Sequence, residues 1–244
     1  MLLASAADAI ACPITGRHFL TSGSKESDMS DDVKLQRAVL AELNWDPSVP
    51  AGQIGVTANG GVVTLTGHAG SYAAKYAAER AAARVEGVKA IAEELEVRLE
   101  DRFKRGDEAI ASAVVERFLW DTTIPKDAIK AQVEDGWISL RGEVRWHFEK
   151  EAAETAVRTL AGVVGVINHV TVRPRVDVLD VSNDIRTALH RSWFFDGDTI
   201  KVSVDGGTVR LTGSVDSLHD RKVAEKTAWA APGAVMVENL LEVV

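Results

Sequence analysis

Apolar residues recur four apart at Leu35, Val39 and Leu43, and the same spacing returns at Ile110, Val114 and Phe118 and at Ile185, Leu189 and Trp193. At 3.6 residues per turn this lays one apolar stripe along a helix, so an amphipathic helix is predicted at each place. Prolines follow (Pro47 and Pro50, then Pro125), and proline stops a helix because it lacks the N–H and clashes with the preceding turn. The period then changes to two. Ile54, Val56 and Ala58, then Ile129, Ala131 and Val133, then Ile200, Val202 and Val204 alternate with polar or small residues, the mark of a strand with one buried face. Asn59-Gly60, Asp135-Gly136 and Asp205-Gly206 predict tight hairpin turns that need positive φ. The return strands bury Val63 and Leu65, Ile138 and Leu140, and Val209 and Leu211. Alanine-rich stretches over about 70–85, 146–160 and 217–231 predict a second helix. Gly87, Gly162 and Gly233 read as left-handed helix stops. A last strand carries Ile91, Leu95 and Val97, then Val166, Val170 and Val172, then Val237, Leu241 and Val243.

The same order therefore occurs three times. The blocks GGVVTLTG, DGWISLRG and GGTVRLTG end at Gly67, Gly142 and Gly213, and an aromatic-Asp pair precedes each (Trp45-Asp46, Trp120-Asp121, Phe195-Asp196). The third copy has four fewer residues between its pair and its anchor glycine, so one loop is shortened while the elements keep register. The predicted fold is α+β: three tandem αββαβ modules over 31–99, 106–174 and 179–244, each a small three-stranded sheet with two helices packed on it. Residues 1–30 read as an N-terminal extension, disordered or weakly signal-like. The joints are short, which limits relative motion and leaves open whether the modules pack together.

The αββαβ order, the [VI]-x-L-x-G return strand and the later glycine resemble the BON domain. The resemblance covers about 31–244. It implies a non-enzymatic bacterial protein linked to osmotic or envelope stress, with phospholipid membrane surfaces as the binding target and the periplasm as location. The N-terminal residues MLLASAADAIACPITG lack the basic start of an export signal, and Asp8 interrupts their apolar stretch. Ala9-Ile10-Ala11-Cys12 only partly matches a lipoprotein cleavage box, whereas Met29 reads as a second start that would imply the cytoplasm.

Chemistry narrows the picture further. Cys12 is the single cysteine, so neither an intrachain disulfide nor a cysteine metal cage is possible. The six histidines occupy no position common to all copies and no HExxH occurs, which argues against a metal site. No phosphate-binding GxxxxGK[ST] is present either. Ser217, His219 and Asp220 have the residue types of a catalytic triad, but their place at a helix start suits capping. No catalytic residue, cofactor or small-molecule substrate is expected, and the chain is read as a non-enzyme. Net charge is −8 overall and about −2, −3 and −3 per module, with no Lys/Arg cluster, which disfavours nucleic acid.

Two patterns remain as candidates. Lys75, Lys150 and Arg221 each precede Glu79, Glu154 and Glu225 by four, predicting i,i+4 pairs on a solvated helix face or a repeated docking surface. Trp45, Trp120 and the run Trp193-Phe194-Phe195 end the first helices. Such aromatics commonly bury in the core or a joint between modules. The alternative is an exposed patch for membrane phospholipid or partner proteins. These five aromatics are the candidate binding residues, either for a membrane surface or for a soluble interaction scaffold without lipid binding.

Overall fold

The computed structural model describes residues 23–173, 185, 187, 199–205, 207–231 and 234–244, with the backbone alone for 23–30. Helix α1 (Gly23–Trp45) leads into strands β1 (Ile54–Asn59) and β2 (Val62–Ala69), helix α2 (Tyr72–Ala83) and strand β3 (Ala90–Val97). The second module repeats this as α3 (Asp107–Trp120), β4 (Ile129–Glu134), β5 (Trp137–Val144), α4 (His147–Arg158) and β6 (Gly165–Val172). The third supplies β7 (Ile200–Asp205), β8 (Thr208–Val215), α5 (Leu218–Trp229) and β9 (Met236–Val243). Ile185 and Thr187, in the region of its first helix, are helical. The fold is α+β, as predicted. Each module has a three-stranded mixed sheet in which the return strand is central, antiparallel to the strand before it and parallel to the one after.

The period-two positions of the central strands form the core: Val63, Leu65, Ile138, Leu140, Val209 and Leu211 are fully buried. Val39 and Leu43, Ile110 and Val114, and Ile185 cover them from the first helix, at roughly 1.5–3 kcal/mol per buried aliphatic side chain. The second helices bury small residues (Ala78, Ala81 and Ala82; Ala153 and Val157; Ala224 and Ala228), which brings their backbones close to the sheet.

Four local readings change. α1 begins at Gly23, so part of the expected extension is helical; no proline or β-branched residue lies between Gly23 and Val33 to oppose it. The hairpin of module 1 turns on Gly60 (φ 58°) and Gly61 (φ 83°), because Asn59 already pairs with Val62. Asp205 likewise pairs with Thr208, leaving Gly207 (φ 88°) in the turn. Only in module 2 is the expected pair, Asp135 and Gly136, the turn itself. The expected helix stops lie beyond their helices, in a turn closed by the N–H of Val88 to Val85 and of Val163 to Leu160. Gly87 (φ 83°) and Gly162 (φ 93°) are the third residues of those turns, where positive φ is needed. Gly233 lies outside the described residues.

The anchor glycines Gly67, Gly142 and Gly213 have φ of 113°, 155° and 132°. A Cβ on them would sit on the carbonyl oxygens of Gln53, Ala128 and Thr199, just before the neighbouring strand. The repeated glycine thus marks a close approach between two backbones.

Candidate binding site at the junction of three modules

The second helices carry the contacts between modules. By the repeat, Tyr72, His147 and Leu218 occupy one position, and each docks on the next module in turn. Tyr72 packs against the core of module 2. His147 stacks on Trp229 of module 3, with ring centroids 4.3 Å apart and planes 10° from parallel. Leu218 packs against the core of module 1. One helical turn on, Tyr76, Glu151 and Lys222 are also equivalent and follow the same cycle. The guanidinium of Arg158 lies 3.5 Å from the Tyr76 ring centroid. Glu151 pairs with Lys226 at 3.0 Å, and Lys222 with Glu79 at 3.1 Å. Contacts running from module 1 to 2, 2 to 3 and 3 back to 1 through equivalent positions close the three modules into a ring.

On the ring axis the three second helices enclose a cleft of about 320 Å³. Tyr76 and Arg80 of α2, Glu154 and Arg158 of α4, and Lys222 and Lys226 of α5 line it. Arg158 is held by Glu154 at 2.6 Å, with its side chain 13% exposed. Its Nε is buried and has no hydrogen-bond partner among the described residues. A second cleft, of about 370 Å³, is aromatic: Trp146, His147 and Phe148 face Trp229 across the joint between modules 2 and 3.

The predicted i,i+4 pairs do not form in the expected way. Lys75 reaches the carbonyl of Leu95 and the carboxylate of Glu93 on β3. Arg221 reaches the carbonyl of Asn239 on β9, while Glu154 binds Arg158. A different repeated arrangement ties the second helix to the last strand. Asn168 donates to the Lys150 carbonyl and to Glu154, and accepts the N–H of Val170. Asn239 makes the same set with Arg221, Glu225 and Leu241. Module 1 has Glu93 at that position. Burial pushes its carboxyl above the ordinary value, Glu79 adds to the shift, and Lys75 and Lys222 oppose it.

Trp45 and Trp120 are 84% and 78% exposed, so burial in the core or a joint does not occur. The helix turns about 200° between Leu43 and Trp45, as between Phe118 and Trp120, which puts the indoles opposite the buried stripe. Val115 and Leu119, which the sequence reading passed over, extend the exposed surface beside Trp120. Trp193, Phe194 and Phe195 lie outside the described residues. The aspartates after Trp45 and Trp120 serve the turn: Asp46 accepts from the N–H and hydroxyl of Ser48, and Asp121 from those of Thr123. These bonds hold both carboxyls below their usual value. Ser217 caps α5 by accepting from the N–H of Asp220, and its hydroxyl donates to the same residue's carboxylate. Among the described residues no group of His, Cys, Asp or Glu side chains is arranged to hold a metal ion, and no helix is long and apolar enough to cross a membrane.

The His147–Trp229 joint gives a pH prediction. Burial lowers the imidazole pKa below its ordinary value, Glu151 and Glu225 oppose this, and Lys150 and Lys226 reinforce it. The unfolded chain then binds the proton first, so stability is lost as pH falls from about 6.5 towards the folded-state value. Melting temperatures between pH 7.5 and 5 should fall more steeply for the wild type than for His147→Gln. Parallel curves would exclude His147 as the source.

Three sheet-and-helix modules in tandem define a tandem-domain protein of α+β class. The chain belongs to the BON-domain family, whose model matches residues 31–98, 106–174 and 177–244. It is similar to osmotically-inducible protein Y of Escherichia coli (strain K12), at 30% identity over 157 residues, which is 63% of this chain and 78% of that protein. Among solved structures, the C-terminal domain of CdsD, the structural protein of the type III secretion system of Chlamydia trachomatis, is 16% identical over 87% of this chain and 98% of its own, with a TM-score of 0.24. Another CdsD structure is 18% identical over 86% and 92%, with a TM-score of 0.23.

Proposed function

We propose that this protein is a non-enzymatic binding protein of the osmotic or envelope stress response that attaches to phospholipid membrane surfaces through its exposed aromatic helix ends. Family membership and the similarity to osmotically-inducible protein Y support the stress role. The observation that carries the membrane reading is the exposure of Trp45 and Trp120 at equivalent ends of α1 and α3. The two indoles occupy equivalent positions of modules 1 and 2, so each module presents its own in the same way. Phe195 is the third equivalent by sequence, and Trp193 and Phe194 adjoin it.

An aromatic or aliphatic anchor contributes roughly 1.5–3 kcal/mol on burial, so two give about 3–6 kcal/mol, weak attachment between roughly millimolar and tens of micromolar. With the chain at −8, the attraction is apolar. Co-sedimentation should therefore be modest on both neutral phosphatidylcholine and anionic phosphatidylglycerol vesicles and change little with salt. Trp45→Ser with Trp120→Ser should abolish it, and Phe194→Ser and Phe195→Ser should weaken it. No sedimentation of the wild type on either lipid overturns the membrane reading and leaves the soluble scaffold.

A further inference from the structure

We propose that the cleft on the ring axis binds a phosphate-type oxyanion. Its walls come from all three modules, so it exists only when the ring is closed. They carry the cations Arg80, Arg158, Lys222 and Lys226 against the anions Glu151 and Glu154, two more positive than negative charges in a chain of net −8. Three of these cations are already matched by carboxylates: Arg158 by Glu154, Lys222 by Glu79 and Lys226 by Glu151. Arg80 is exposed and makes no hydrogen bond or ion pair with the described residues. The Nε of Arg158 is buried without a partner among the described residues but has no open surface in the cleft, so the free donor there is the Arg80 guanidinium. Guanidinium groups present planar donor forks that match the oxygens of phosphate. His219 lies on the same wall as the lysines. The cleft's volume admits a phosphate with a small attached group and excludes a folded partner or a duplex. Since the neighbouring carboxylates compete for the same cations, affinity should be modest and fall with salt.

The test uses the full chain titrated with inorganic phosphate, with sodium chloride at matched ionic strength as reference, read by calorimetry and thermal melting. Phosphate should raise the melting temperature above the chloride reference. Arg80→Gln should weaken phosphate at least tenfold and Arg80→Glu should abolish binding. Both should fold, because Arg80 is exposed and unpaired. Lys130→Gln, at an exposed position on β4, should bind as the wild type does. No stabilisation beyond chloride, or equal affinity in Arg80→Gln and Lys130→Gln, overturns the site. Phosphate displaced by phosphatidylglycerol vesicles identifies a lipid headgroup as the natural source, and phosphate retained identifies a soluble phosphate; either supports the site. Trp45→Ser with Trp120→Ser should leave phosphate affinity unchanged, which separates this site from membrane attachment.

Discussion

Replacing Gly142 by alanine will unfold the second module or leave it barely stable. The residue has φ of 155°, and a Cβ there would sit on the Ala128 carbonyl oxygen, a backbone atom that cannot move without breaking the β4–β5 pairing. Backbone strain of roughly 1–3 kcal/mol adds to a packing cost of similar size, so a loss of about 3 kcal/mol or more is expected. A module of this size has only about 3–10 kcal/mol in total. Two other glycines calibrate the result. An alanine Cβ at Gly162 would lie 2.8 Å from Cβ of Arg105 and 2.9 Å from Cδ1 of Ile110, giving a loss of about 2 kcal/mol. At Gly87 the nearest atom is Cδ1 of Leu35 at 3.7 Å, so only the positive φ is penalised, by about 1 kcal/mol. Urea melts of the three variants should rank Gly142→Ala, Gly162→Ala, Gly87→Ala in decreasing damage. A Gly142→Ala protein no weaker than Gly87→Ala would refute the close-approach account.

The anchor glycines Gly67, Gly142 and Gly213 show what a sequence makes legible. Their recurrence after [VI]-x-L-x marked the module, while the reason for them is a contact with a strand that begins about thirteen residues earlier. Helices and strands were readable because each buries one face, and burial imposes a period. The exposure of Trp45 and Trp120 was also within reach, because the stripe through Leu43 and Phe118 already points the next-but-one residue outward. The hairpin turns were harder. Asp107 accepts from the N–H groups of both Asp135 and Gly136, and Asp32 from that of Gly60, across nearly thirty residues that no local pattern spans. The ring was the least visible feature. Tyr72, His147 and Leu218 hold one structural position yet share no chemistry, since each fits a different neighbour. Aligned as repeats, they look unconstrained. The Asn168 and Asn239 latches were hidden for a similar reason: module 1 has Glu93 instead, so the pattern holds in only two copies.

A closed ring makes mutations in one module affect another, and the joint between Tyr76 and Arg158 should show this most clearly. The Arg158 side chain is 13% exposed, so the attraction between its guanidinium and the Tyr76 ring is little screened by water, and such contacts contribute about 2 kcal/mol when desolvated. Arg158→Met keeps the aliphatic stem and removes the charge. It should lower stability by about 2–3 kcal/mol, since Glu154 then loses its partner and keeps only its weaker bond to Asn168. Tyr76→Leu alone should cost about 1–2 kcal/mol, and the double variant less than the sum, with a coupling of about 1–2 kcal/mol. Independent modules would give additive losses and no coupling. The same cycle at Glu79 and Lys222 should couple by well under 1 kcal/mol, because those side chains are 31% and 49% exposed and water screens them. The ion pairs at the joints therefore set register more than strength. Closure rests instead on the position shared by Tyr72, His147 and Leu218, where each second helix places a side chain against the next module.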